Sequence, residues 1–394
     1  VANAFIKATK VADTMLGVLE RELVLPRLVW RDAILDFTGA FGDTVSIRLP
    51  AYTTARTRVM RSATQLTVDD LSETKVDVTL DTHVYKAIGV TDEELTLDIV
   101  DFGRQVISPS MNAVGRGMED ALVAEIAAAT YATVVTGFGT DPGLAILNAR
   151  KALNLANVPM DGRVLAVGAD MELKLLDEDK FVKVNEAGSD DALRRAVIGN
   201  IYGFDVVSVP ALSPTEAYAF HKTAFPLVAA APAVPEGAGW GARRSFNGLT
   251  LRTLRDYDFL NVRDRLLTDV FIGTSTVPDQ GYYDAQGRWQ PFTGTAGASI
   301  TITTSAAADD IVDTTTAHNF VAGDRVVFTA LTGGTGLTTN REYYVIATSL
   351  AAQTFRVSDT VGGAGINFTT DITAGTVRKD GTSLLVRAVK LTYA

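Results

Sequence analysis

The sequence predicts an α+β fold carrying a separate small all-β unit near its C-terminal end, and three observations predict it. Apolar residues alternate at strand spacing over 44–49 and again over 75–81. From Ile107 to Ile126 they instead recur every three or four residues, the period of one helix face. Beyond Pro278 the composition turns to Thr, Gly and Ala, with short β signals at regular intervals. At 394 residues the chain also exceeds the roughly 250–300 at which one hydrophobic core stops growing, so two or more cores are expected.

Residues 1–37 read as an arm. Val11, Met15, Val18, Leu19 and Leu23 approximate a helical stripe, Pro26 breaks or kinks it, and Leu28, Val29 and Trp30 lie among Arg27, Arg31 and Asp32. So short a segment cannot bury its own apolar face, and must lie on its own body or on a neighbour. From Gly42 the period becomes two. Val45, Ile47 and Leu49 alternate with Thr44, Ser46 and Arg48, and Val76, Val78 and Leu80 repeat the pattern. The expectation is a long β-hairpin from Thr44 out to a polar tip and back to about Val90. Arg56, Arg58 and Arg61 stand at roughly strand spacing on the way. A hairpin of this length is only marginally stable alone and is expected to rest on a partner.

Thr91-Asp92-Glu93-Glu94 fits a capping box and opens a helix. Ser108-Pro109 is a second start signal, since Pro suits the first turn. Ile107, Met111, Val114, Met118, Leu122 and Ile126 give a long helix to about Ala129, or two hinged near Pro109. Gly115 and Gly117 weaken it by about 1 kcal/mol each relative to Ala and permit a bend or a close crossing.

Residues 140–278 read as an α/β domain. The expected elements are helices at 144–156, 169–177 and 192–198, and strands at 163–167 and 205–209. A further strand or short helix covers 218–229, and closing strands lie at 249–257 and 261–273. Leu144, Leu147, Leu153 and Leu155 stand among alanines in the first helix. Over 290–382, candidate strands at 299–303, 310–313, 325–329, 343–348, 354–357 and 375–378 predict a small sandwich or barrel. The segment 384–391 returns to a core-like pattern, which would make the β unit an insertion.

Composition narrows function mainly by exclusion. A formal charge of −10 makes the chain a poor duplex binder, suited to lying beside nucleic acid without adhering, although mild acidity also serves solubility. The absence of cysteine excludes disulfide scaffolds, thiolate metal sites and Cys nucleophiles. No run has the roughly 18 apolar residues of a membrane span, and no signal peptide is visible. The three histidines, His83, His221 and His318, lack ligand spacing. His83 is expected in a strand and His221 in the core. No phosphate-binding loop and no Gly-x-Ser-x-Gly elbow occur. Carboxylate pairs at 69–70, 92–94, 177–179, 190–191 and 309–310 fall at helix ends or in loops, where solvated surface competes with a hydrolase or calcium reading. Arg243 and Arg244 with the hairpin arginines are too scattered for a nucleic-acid stripe.

The order of parts resembles the tailed-phage capsid proteins of the Hong Kong 97 fold: N-terminal arm, extended hairpin loop, long spine helix, apical α/β domain. The phrases Leu153-Asn154-Leu155-Ala156-Asn157-Val158-Pro159-Met160-Asp161-Gly162-Arg163-Val164 and Ile198-Gly199-Asn200-Ile201-Tyr202-Gly203-Phe204-Asp205-Val206 are similar to that family's helix, Val-Pro turn and strand, and to its glycine turn. Asp256-Tyr257-Asp258 with Phe271-Ile272-Gly273 resembles its closing strands. The likeness spans about 1–278 and is greatest to podovirus-type coat proteins. The 290–382 unit resembles the immunoglobulin-like modules that phages add to structural proteins.

The resemblance implies an arm (1–37), a hairpin loop with peripheral strands (38–98), a spine region (99–139), an apical domain with closing strands (140–278), a β module (290–382) and a C-terminal strand (384–394). It implies a non-enzymatic shell subunit without cofactors or metals, forming hexamers and pentamers with scaffolding and portal proteins. Such a shell encloses double-stranded DNA without reading its sequence, assembles in the host cytoplasm and ends in the virion. Candidate assembly residues are Trp30, Arg56, Arg58 and Arg61, with Pro109, Gly115 and Gly117 as bending points of the spine. An encapsulin-type compartment, a tail or surface adhesin, and a carboxylate-based hydrolase are the competing readings.

Overall fold

The computed structural model describes residues 24–31, 44–49, 53, 55–62, 65–66, 68, 73–98, 103–182, 199–237, 240–246, 249–292 and 297–394. The expected helical stripe at 11–23 and helix at 192–198 lie outside these residues. The interruption of that stripe expected at Pro26 lies outside the described residues with it. Pro26 itself stands in the first turn of the short α1 (Leu25–Leu28), where a missing amide hydrogen costs nothing.

β1 (Thr44–Leu49) and β2 (Thr74–Thr79) pair antiparallel, with Thr44 opposite Thr79 and Leu49 opposite Thr74. The hairpin expected to return as far as Val90 therefore ends at Thr79. The chain turns at Leu80–Asp81 into β3 (Thr82–Thr91), which joins a different sheet. Alternation continues through both strands, and a period of two does not reveal a change of partner. The strand-like spacing of Arg56, Arg58 and Arg61 also produces no strand. Residues 55–59 run without a ladder, and Arg61 takes a left-handed conformation (φ 62°) in a turn.

The Thr91 capping box forms: Thr91 N donates to Glu94 Oε2 at 3.0 Å and Glu94 N to Thr91 Oγ1 at 3.3 Å. Wide, π-type turns follow at Glu94–Asp98 and Gly103–Ile107 before the regular spine helix α2 (Ser108–Ala128). Pro109 is the second residue of α2, so it begins the regular helix without kinking it. Gly117 lies where α2 crosses β3; a Cβ there would sit 2.7 Å from Val84 Cγ1. Of the two expected roles for this glycine, the structure uses the close crossing.

After α2 come β4 (Val134–Val135), α3 (Pro142–Leu155), β5 (Arg163–Val167), α4 (Ala169–Asp177), β6 (Asn200–Ile201), β7 (Phe204–Ser208) and β8 (Glu216–His221). Asp141 caps α3 by accepting from Leu144 N at 3.0 Å. On α3, Ala145, Ile146, Ala149 and Leu153 are buried, whereas Leu144 and Leu147 are exposed. Leucine outweighs alanine in any hydropathy reading, so hydropathy does not encode that division. The expected element at 218–229 is two strands, β8 and β9 (Leu227–Ala230), split by a 3-10 turn.

The peripheral sheet adds β10 (Trp240–Phe246), absent from the sequence expectation, then β11 (Leu249–Asp258) and β12 (Arg263–Thr274). Its order is β10-β11-β12-β3, with β9 also on β12. Two short unexpected strands follow, β13 (Asp279–Tyr283) and β14 (Trp289–Pro291). The β module comprises β15 (Ile300–Ile302), β16 (Val312–Asp313), β17 (Arg325–Gly333), β18 (Glu342–Ile346), β19 (Thr354–Ser358) and β20 (Ile372–Lys379). The chain returns through β21 (Thr382–Leu384) and ends in β22 (Ala388–Thr392), which pairs with β8 and β4. The central sheet is thus β4-β22-β8-β5-β7-β6.

The module strands run β15-β20-β17-β18-β19-β16, and the ends meet through an Ile302–Thr314 bridge, Thr303 N to Asp313 O at 2.8 Å and Thr315 N to Thr301 O at 3.0 Å. This is one closed ring, a barrel with its own core of Phe320, Phe328, Tyr343 and Phe355. Of the sandwich and the barrel that the sequence left open, the described strands form the barrel. β14 and β21 flank β13, so Pro291 and Thr382 both lie opposite Gly281. At two strand spacings, the ends of the insertion are about 10 Å apart. Trp289 roots this stalk in the core beneath α3, and Arg325 of the barrel stacks 4.0 Å over the Tyr282 ring. Replacing residues 293–380 by a linker of about five residues should leave the body folded. Calorimetry should show loss of one unfolding transition with the others retained.

Candidate assembly surfaces

Two projections carry apolar side chains that the chain itself leaves uncovered. Around the hairpin tip Val59, Met60, Leu66 and Val68 are exposed, Met60 at 89%. They share this segment with Arg56, Arg58 and Arg61, and the Arg58 guanidinium donates to the Ser62 carbonyl. At the turn joining β11 to β12, Phe259, Leu260 and Val262 are exposed, Leu260 at 94%, with Val262 at φ 49°. Apolar groups concentrated on projections, away from any core, mark contact surfaces.

Both projections are held firmly at their bases. The hairpin sits on a small cluster of Val45, Val78 and Val228 against which Trp30 packs. Trp30 is fixed in turn by its N–H to Lys222 O at 3.0 Å and by Leu227 N to its own carbonyl at 2.9 Å. Trp30 therefore belongs to the seat where arm, hairpin and β9 meet, and this part of the arm lies on its own body. Gly273 completes the seat, since a Cβ there would press to 2.3 Å from Thr79 O.

The β11–β12 ribbon is stiffened by a ladder of ion pairs. Buried Asp269 receives Arg252 in a forked contact, with Nε to Oδ1 at 2.9 Å, and stands 3.0 Å from His83 Nε2. Further out come Arg255 with Asp264 and Arg265 with Asp256. Tyr257 Oη donates to Asp92 at 2.6 Å, tying the ribbon to the start of the spine. Bidentate Arg–carboxylate contacts fix orientation as well as distance.

A second polar chain joins the stalk to the central sheet. Asp279 holds Arg387 through two contacts of 2.8 and 2.6 Å, Arg387 Nη1 donates to Thr223 Oγ1 at 2.9 Å, and Thr223 Oγ1 lies 2.8 Å from His221 Nδ1. His221 is the core histidine that the sequence predicts. Its pKa lies below the ordinary value, through burial first, then Arg387, with Lys222 and Arg163 adding and the Asp161 carbonyl opposing. These couplings were not legible beforehand, because Asp279 and Arg387 stand far apart in the chain. The expectation that acidic pairs are solvated fails at Asp310, which accepts from Phe368 N at 3.0 Å and from Arg356. Arg243 donates to Pro232 O at 3.2 Å. The pairs at 69–70 and 190–191 lie outside the described residues. Among the described residues no cluster of three or more His, Asp or Glu has metal-binding geometry, and no helix is long and apolar enough to cross a membrane.

A profile of the phage capsid protein family matches residues 73–274, just over half of the chain. The chain belongs to the phage capsid protein family. It is a phage capsid protein, a structural component of a phage shell. Its fold is similar to a solved chain from Mycobacterium phage Che8, at 22% identity and TM-score 0.52, covering 70% of this chain and 95% of that one. It is also similar to a chain of the capsid of cyanophage P-SCSP1u, at 13% identity and TM-score 0.50, covering 68% and 89%. A third similar chain comes from the capsid of a native GTA particle with C5 symmetry, at 8% identity and TM-score 0.50, covering 68% and 90%. No curated protein sequence matches this chain.

Within this capsid protein the suspected assembly residues divide into two groups. Arg56, Arg58 and Arg61 stand on the exposed hairpin tip, whereas Trp30, Pro109, Gly115 and Gly117 belong to the seat and the spine.

Two outcomes are expected. Asp269→Ala should destabilise the subunit by about 3–5 kcal/mol in denaturant titration, because it strands Arg252 without its partner. His221 stays neutral in the folded protein at a pH where the unfolded chain takes up a proton. Stability should therefore be full above about pH 6.5 and fall as acidification approaches the lowered folded-state pKa. His221→Asn, which keeps an acceptor toward Thr223, should flatten that part of a stability-against-pH profile.

Proposed function

We propose that this capsid protein builds a Hong Kong 97-type shell by head-to-tail contacts that close into pentamers and hexamers, enclosing double-stranded DNA without reading its sequence. The carrying observation is the apolar hairpin tip, where Val59, Met60, Leu66 and Val68 are all exposed. In this reading the hairpin overlaps a neighbouring subunit, with Arg56, Arg58 and Arg61 pairing with its carboxylates, and the arm overlaps another. Interfaces of this obligate kind bury on the order of 2,000–5,000 Å². The role is structural and not catalytic. Scaffolding and portal proteins are the expected partners, and assembly takes place in the host cytoplasm.

Maturation, in the same reading, swings the hairpin and arm and alters the curvature of the spine between Pro109 and Gly117. The wide turns at 103–107 mark where regular helix gives way. The barrel faces outward, because its seat is a stalk of three short strands added beside the central sheet.

Electron microscopy of the purified recombinant chain should show icosahedral shells, and amorphous or purely monomeric material would overturn the reading. Replacing Arg56, Arg58 and Arg61 together by Glu should leave a folded subunit by circular dichroism whose shell yield drops at least about tenfold. Unchanged yield would remove the hairpin tip from assembly.

A further inference from the structure

The spine helix carries one charged side chain with no exposure at all. Glu119 is 0% exposed, on the flank of α2 that holds Val114, Gly115, Met118 and Leu122. Its Oε1 accepts two backbone N–H groups from a segment nearly a hundred residues away: Val24 N at 3.0 Å and Leu25 N at 3.0 Å. Those amides stand at the start of α1, a turn too short to stabilise itself. Pro26 follows and lacks an amide hydrogen. Leu25 and Val29 enter the same core as Val114, Met118 and Leu122, and the next residue, Trp30, packs into the hairpin seat. A carboxylate is an expensive group to bury unless its hydrogen bonds are worth the desolvation. Leucine at this position would cover α2 more cheaply. What leucine cannot do is fix the height and direction at which the backbone arrives.

We infer that Glu119 is a positioning residue for assembly: by gripping the Val24 and Leu25 amides it sets where the N-terminal arm leaves the body and, through Trp30, how the hairpin is aimed. This rests on the reading above that arm and hairpin overlap neighbouring subunits. Single-point anchoring suits that task. The apolar contacts of Leu25 and Val29 supply attachment but tolerate sliding, whereas two amides on one oxygen admit one register. Hydrogen bonds to a charged acceptor are also about twice as strong as neutral ones.

The test compares full-length Glu119→Leu and Glu119→Gln with the parent chain by hydrogen exchange and by electron microscopy of assembly reactions. The Leu variant should fold, judged by unchanged exchange in the central sheet. Its amides over 24–31 should exchange at least about tenfold faster, as expected for loss of charge-assisted bonds. Its shells should be fewer or aberrant. The Gln variant keeps a carbonyl oxygen in place without the charge and should restore both readouts in part. Parental exchange over 24–31 in the Leu variant overturns the anchor, as does failure of Gln to restore it in part. If the Leu variant does not fold, Val24→Pro removes one donor and leaves the helix intact. It should accelerate exchange over 25–31, and parental exchange there overturns the anchor equally. Deleting residues 1–23 separates the two ideas: normal shells from that deletion refute the arm's role in assembly, while exchange over 24–31 still decides what Glu119 does.

Discussion

The subunit depends on the burial of one helix face between two sheets. Val114, Met118, Leu122 and Ile126 of α2 meet Val270 and Ile272 of the peripheral sheet, Tyr218 and Phe220 of the central sheet, and Leu25 and Val29 of the arm, all in a single cluster. Each fully buried side chain of this size contributes about 1.5–3 kcal/mol. Sheets that would otherwise be separate bodies are thereby held at a fixed angle, and Gly117 sets how near the helix can come to β3. The projections inherit their direction from this arrangement. The ion-pair ladder along β11 and β12 and the Trp30 seat below the hairpin then carry that direction outward to the exposed tips.

Local signals in the sequence were read well because local physics determines them. The Thr91–Glu94 box, the strand 163–167 and the helix 169–177 follow from capping chemistry and from period, and the structure places them at those residues. What escaped is what two distant segments decide together. The alternation of 76–90 is continuous, yet β2 pairs with β1 while β3 pairs with β12. Leu144 and Leu147 are exposed while Ala145 and Ala149 of the same helix are buried, a division that hydropathy does not encode. β10, β13 and β14 were missed since a short, half-buried strand without strict alternation resembles loop.

The assembly surfaces divide in the same way. Arginines at the hairpin tip were visible as residues, but their setting among Val59, Met60, Leu66 and Val68 is a matter of exposure, which no period encodes. Glu119 had a detectable signal, a carboxylate four residues after Gly115 and three before Leu122 on the apolar side of a strong helix. Asp279 and Arg387 had none. Apolar stripes and alanine contacts build the body, and paired charges orient what projects from it.

The barrel enters and leaves the body opposite a single glycine. In genetic terms the coding sequence for one outgrowth lies as an uninterrupted block whose loss or replacement alters neither the reading order nor the pairing of the strands around it. A lineage carrying such a block can diversify what it presents on the stalk while the shell lattice stays under its own, separate selection.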